Sequence, residues 1–68
     1  MTLKDGKLNT LYRISSIDNK KSEHLVNLGL YDGTDVIIKS RGLGSMIICV
    51  GDSRYGLGED IAKTINIE

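Results

Sequence analysis

A chain of 68 residues, 40% apolar and 26% charged, supports one thin hydrophobic core and argues against both whole-chain disorder and a deep substrate cavity. Nine basic and nine acidic residues cancel and neither sign forms a block, so no nucleic-acid partner is expected. The single cysteine, Cys49, excludes an internal disulfide framework, and the longest apolar run, Ile47 to Val50, falls far short of the roughly 20 residues that span a bilayer.

Met1 to Leu8 has no basic flank leading into an apolar stretch, so no secretory signal is expected and the cytoplasm is the default compartment. The first strand signal is Asn9 to Ile17, with Tyr12 and Ile14 on one face and Leu11 on the other. Asn19 to Gly29 reads as a short helix: Leu25 and Leu28 fall three apart, the Lys20–Lys21 pair suits a solvated start, and Gly29 can supply a left-handed cap. A second strand, Thr34 to Arg41, places Val36 and Ile38 on one face and Ile37 opposite. A hairpin loop of three to five residues around Gly42, Leu43 and Gly44 leads into a third, Ser45 to Gly51, whose apolar run reads as a buried strand. Gly51, Asp52 and Ser53 suit the next turn, Ser53 to Leu57 the fourth strand, Glu59 to Lys63 a single helical turn with acids first and lysine last, and Thr64 to Ile67 the fifth strand. The fold class expected is therefore mainly β: a small SH3-like barrel of about five strands, with one short helix between the first two and a helical turn before the last. No repeat or linker divides residues 1–68, so a single domain is expected.

Catalytic chemistry finds little to work with. A nucleophile with its base would have to come from His24 and Cys49, but His24 falls on the polar side of the short helix and Cys49 sits mid-strand as a small hydrophobe, so no catalytic residue and no enzyme activity are expected. No metal site is expected either: there is no CxxC, no HxxxH and no His-carboxylate cluster, and the pairs Asp32/Asp35 and Glu59/Asp60 suit turn and helix-start duties. Gly56-Leu57-Gly58-Glu59-Asp60 lacks the third glycine of a dinucleotide fingerprint and puts two acids where a pyrophosphate would sit, so no cofactor is expected. With no Trp or Phe, and only Tyr12, Tyr31 and Tyr55, an aromatic groove for polyproline ligands is disfavoured. Binding to another protein is what remains.

Leu25-Val26-Asn27-Leu28-Gly29-Leu30-Tyr31-Asp32-Gly33-Thr34-Asp35-Val36, read as L-x-x-L-G-L-x-x-G-x-x-V, resembles the central motif of the ferrous iron transport protein A (FeoA) family. Leu3-Lys4-Asp5-Gly6 is similar to that family's opening, and Ile48-Cys49-Val50-Gly51, Tyr55-Gly56-Leu57 and Ile61 to Ile67 to its ending. The chain departs from the family in having Asp32 before the turn glycine, and Arg41 to Ser45 in the hairpin, where proline is frequent. Much of the motif has scaffold duties: Leu25 and Leu28 fill the core, Leu30 re-enters it, Gly33 turns into the strand of Val36, and Ala62 lets the last turn approach the sheet.

The resemblance implies a small cytoplasmic accessory protein that binds the GTPase-bearing ferrous iron permease (FeoB) and assists its assembly or gating, peripheral to the membrane only through that partner. The expected contact surface comprises Leu30 and Tyr31 at the helix end and Leu43 and Met46 in the hairpin. A second implication is a freestanding regulatory module, related to the SH3-like C-terminal domain of iron-dependent repressors.

Overall fold

Alternating apolar residues become five strands in the computed structural model, which describes residues 1–18 and 22–68. Lys20 and Lys21, and the side chain of His24, lie outside what is described. A 3-10 turn at Leu3–Asp5 precedes β1 (Leu11–Ile17), α1 (Ser22–Asn27), β2 (Asp35–Gly42), β3 (Ser45–Val50), β4 (Ser53–Gly58), α2 (Glu59–Ala62) and β5 (Ile65–Ile67). The strands form one antiparallel sheet in the order β4-β3-β2-β1-β5. Register shifts between Ile14 and Ser16 in β1, and between Ile38 and Ser40 in β2, bend the strands as bulges do, which lets the sheet curl into the expected SH3-like barrel. The first residues tie together β5 and β2, which do not pair with each other: Thr2 bridges Asn66 and Leu8 bridges Ile38.

The inward face holds Leu3, Ile14, Leu25, Leu30, Val36, Ile38, Met46, Ile48, Leu57, Ala62, Ile65 and Ile67, with no buried polar or charged residue among those described. Gly6 belongs to this packing. A Cβ there would lie 2.7 Å from Ile38 Cδ1 and 3.0 Å from Tyr12 Cε2, so only glycine lets the backbone rest on those side chains.

The L-x-x-L-G-L motif is a helix terminator built from backbone hydrogen bonds. Leu30 N–H donates to Leu25 O (2.9 Å) and Gly29 N–H to Val26 O (2.9 Å), the paired bonds of a Schellman motif, with Gly29 at φ +87° as its left-handed residue. The hydrophobic partners that accompany such a motif are Leu25 and Leu30, both in the core. Directly afterwards, Thr34 N–H donates to Tyr31 O (3.1 Å), and Gly33 takes φ +89° in the second central position of the turn, where a type II turn requires it.

Three details differ from the sequence expectations. Ile47 to Val50 is not buried throughout: Met46 and Ile48 point inward, while Ile47 is 39% exposed, because an antiparallel sheet of this size packs only one face on the core. The β2–β3 connection is a two-residue turn, since Gly42 pairs with Ser45 and only Leu43 and Gly44 lie between them. Strand β1 begins at Leu11 and not Asn9, whose φ of +58° takes it out of extended backbone.

Candidate interaction surface

The four residues expected on the contact surface separate into two kinds. Leu30 and Met46 are 0% and 3% exposed and pack in the core, which corrects their placement on the surface. Leu30 is drawn inward by the Schellman geometry that pairs it with Leu25, and Met46 by its register opposite Leu57. Tyr31 and Leu43 do face solvent, at 52% and 104% of full exposure.

Both are presented on pinned backbone. The turn carrying Tyr31 is fastened to β1, where Gly33 N–H donates to Ile14 O (2.7 Å) and Ile14 N–H to Thr34 O (2.9 Å). The tip carrying Leu43 is held by Glu59 N–H, which donates to Gly44 O (2.9 Å). The two residues are not neighbours, however. Tyr31 precedes the first residue of β2 and Leu43 follows its last, so the two lie beyond opposite ends of that strand.

Beside the Leu43 tip lies a small pocket lined by Lys4, Arg41, Gly42, Ser45, Met46 and Glu59. Its charges are already engaged. Lys4 Nζ lies 2.9 Å from Glu59, whose hydrogen bond and negative charge raise the lysine above its ordinary value, and the Arg41 guanidinium donates to Gly6 O. An open depression lined by Leu11, Tyr12, Arg13, Asp35 and Glu68 holds the Arg13–Asp35 pair, Nε to Oδ1 3.5 Å. Neither hollow assembles a nucleophile with a base. Among the described residues no three His, Cys, Asp or Glu side chains converge as metal ligands, and no helix is long and apolar enough to cross a membrane.

Exposed apolar side chains that the sequence expectations did not assign to a surface are Met1, Leu8, Leu11, Val26 and Ile47. For Leu11 the signal was present in its placement opposite Tyr12 and Ile14. For Ile47 it was hidden inside a continuous apolar run.

A family model, the FeoA domain, matches residues 1–68. The chain belongs to the FeoA family. The FeoA fold is shared with solved structures. FeoA of Stenotrophomonas maltophilia, complexed with zinc and described as a prokaryotic SH3 domain protein, is 24% identical, with 100% of this chain and 89% of that one covered and a TM-score of 0.85. An iron uptake regulatory protein (FeoA) is 25% identical over 100% of this chain and 96% of its own, with a TM-score of 0.86. A manganese-dependent transcriptional repressor matches at a TM-score of 0.86 and 13% identity, covering 96% of this FeoA chain and 39% of the repressor chain, a likeness of fold alone. Among curated proteins none matches the sequence.

Proposed function

We propose that this FeoA-family chain is a cytoplasmic, non-catalytic accessory protein of ferrous iron uptake, which docks on the GTPase-bearing region of the ferrous iron permease and assists its assembly or gating. Membership of the FeoA family over the whole length is the observation that carries this reading. Two features of the surface support it. Leu43 is a large apolar side chain held fully in water on a pinned two-residue turn, and covering it offers a partner about 2 kcal/mol. Tyr31 is an amphipathic side chain on an equally anchored turn, of the type that contributes strongly at interfaces. Because the two lie at opposite ends of β2, they serve as separate points of contact on a large partner.

The test is co-purification with the permease after Tyr31→Asp and Leu43→Asp. Both positions are exposed, so circular dichroism should be unchanged while recovery of the permease falls. Undiminished recovery by the double variant would remove this surface, and GTP hydrolysis by the purified chain alone would contradict the non-catalytic role.

The match to the manganese-dependent repressor motivates a second reading, in which the same barrel acts as a free regulatory module on a separate metal-dependent regulator. Recovery of such a regulator, and not of the permease, would favour it.

A further inference from the structure

The sheet has two edges, and only one of them is covered by described residues. At the β5 edge, Ile67 N–H donates to Met1 O (2.8 Å) and Thr2 bridges Asn66, so the first residues pair with the outer side of that strand. At the opposite edge no described strand lies beyond β4. The hairpin fixes which backbone groups face out there. The two-residue turn makes Val50 and Ser53 a hydrogen-bonded pair, and Glu59 N–H donates to Gly44 O in the same phase, so Ser53, Tyr55 and Leu57 bond to β3. The N–H and C=O of Arg54 and Gly56 therefore point away from β3, and no described backbone group meets them. Both residues are exposed, and what a glycine exposes is backbone.

Open edges are normally blunted by bulges, proline or charge. The six pairs of β4 with β3 run without a register shift, and its sequence, SRYGLG, has no proline and one charged residue, Arg54. At Gly58 the outer position is taken, because a Cβ there would lie 2.7 Å from Asp60 Oδ1. At Gly56 it is bare: among the described residues an added Cβ would meet only Ile47 Cδ1, at 3.8 Å. Ile47, 39% exposed, thus leans toward the edge across a residue with no side chain.

Outward N–H and C=O groups at strand spacing are matched by another extended chain, whereas a helix bonds its backbone groups internally. A second copy in the symmetric antiparallel register would set Gly56 against its own equivalent. The two Ile47 residues would then stand three strand spacings, roughly 14 Å, apart with no side chain between them. A different chain with a large aliphatic residue opposite Gly56 fills that space and covers Ile47.

We propose that the open edge of β4 at Arg54–Gly56 takes an extended segment of a protein partner as a sixth, antiparallel strand, with a large aliphatic side chain opposite Gly56 and against Ile47. The site is separate from Tyr31 and Leu43, and its test contains no permease, so it can fail independently of the function proposed above. Isotope-labelled protein is titrated with the peptide Lys-Val-Thr-Leu-Thr-Val-Lys and with two N-methylated counterparts. One is methylated at leucine and both valines, whose N–H groups would face β4; the other is methylated at the two threonines, whose N–H groups would face away. The unmodified and threonine-methylated peptides should shift the Arg54 and Gly56 amides and slow their hydrogen exchange, while the leucine-methylated peptide does neither. Replacing the central leucine with alanine should weaken binding roughly threefold in the parent and by less in Ile47→Ala, where the contact is already lost. Arg54→Pro removes an outward N–H from an edge strand, where proline is tolerated, and should weaken binding while keeping the dispersed spectrum of the folded protein. The methylated peptides leave the protein unchanged, so their comparison stands even where Arg54→Pro perturbs β4. Equal binding of the two methylated peptides, shifts centred on Leu11, Tyr31 or Leu43, or no binding at millimolar peptide would overturn the proposal. So would concentration-dependent shifts of Arg54 and Gly56 in the protein alone, which would give the edge to a second copy.

Discussion

Replacing Gly29 with alanine tests whether the family's central motif is a helix terminator. Gly29 sits at φ +87°, and among the described residues no atom outside its chain neighbours would lie within 4 Å of an added Cβ, so the substitution acts through the backbone. Holding an L-residue with a Cβ in the left-handed region costs about 1–2 kcal/mol. Alanine recovers some of this, about 0.4–1 kcal/mol, by narrowing the unfolded ensemble. The net loss is about 1 kcal/mol, which in a domain of this size lowers Tm by roughly 4–8 °C. Thermal unfolding followed by circular dichroism measures it, with Gly29→Asn as the control, because asparagine tolerates the left-handed region and should lose less. An alanine variant as stable as the parent, or an asparagine variant less stable than the alanine one, would refute the Schellman assignment.

Other outcomes follow from the same structure. Leu30→Ala should cost about 2–5 kcal/mol, because it empties a fully buried site, whereas Leu43→Ala should fall within about 0.5 kcal/mol of the parent; denaturant unfolding separates them. Gly6→Ala should destabilise by about 1–3 kcal/mol from the close approach to Ile38 and Tyr12, although the backbone there suits alanine. The Lys4–Glu59 pair raises the lysine above its ordinary value of 10.5, so its contribution is fully present below that pH and is lost as pH rises through the higher folded value. The stability difference between the parent and Lys4→Met should therefore vanish in unfolding curves above that range, and a difference that grew with pH would contradict the pairing.

Much of the fold was legible because its signals are local. Period-two alternation marked Val36, Ile38, Ile65 and Ile67 as inward-facing, and Gly29 marked the end of α1 because few other residues accept its backbone conformation. The contact surface was less legible. Leu30 follows the turn glycine and reads equally as core or as an exposed helix end; the hydrogen bond to Leu25 decides for the core. Met46 looks like part of a glycine-rich loop until the two-residue turn moves it into β3, opposite Leu57. In both cases one hydrogen bond or one step of register separates exposed from buried, and composition carries no record of either.

The residues by themselves determined that this chain is a small barrel of short strands, and the local chemistry of Leu25 to Val36 was enough to mark its family. What only the tertiary structure decided is which apolar side chains remain for a partner. Strand pairing sent Met46 and Ile48 inward and left Ile47 outside, placed Tyr31 and Leu43 at opposite ends of β2, and gathered Leu11, Ile37 and Cys49 from three separate strands into one row beside Arg54. The physical reason is that a surface is a property of neighbours across strands, whereas helix caps and turns depend on neighbours along the chain.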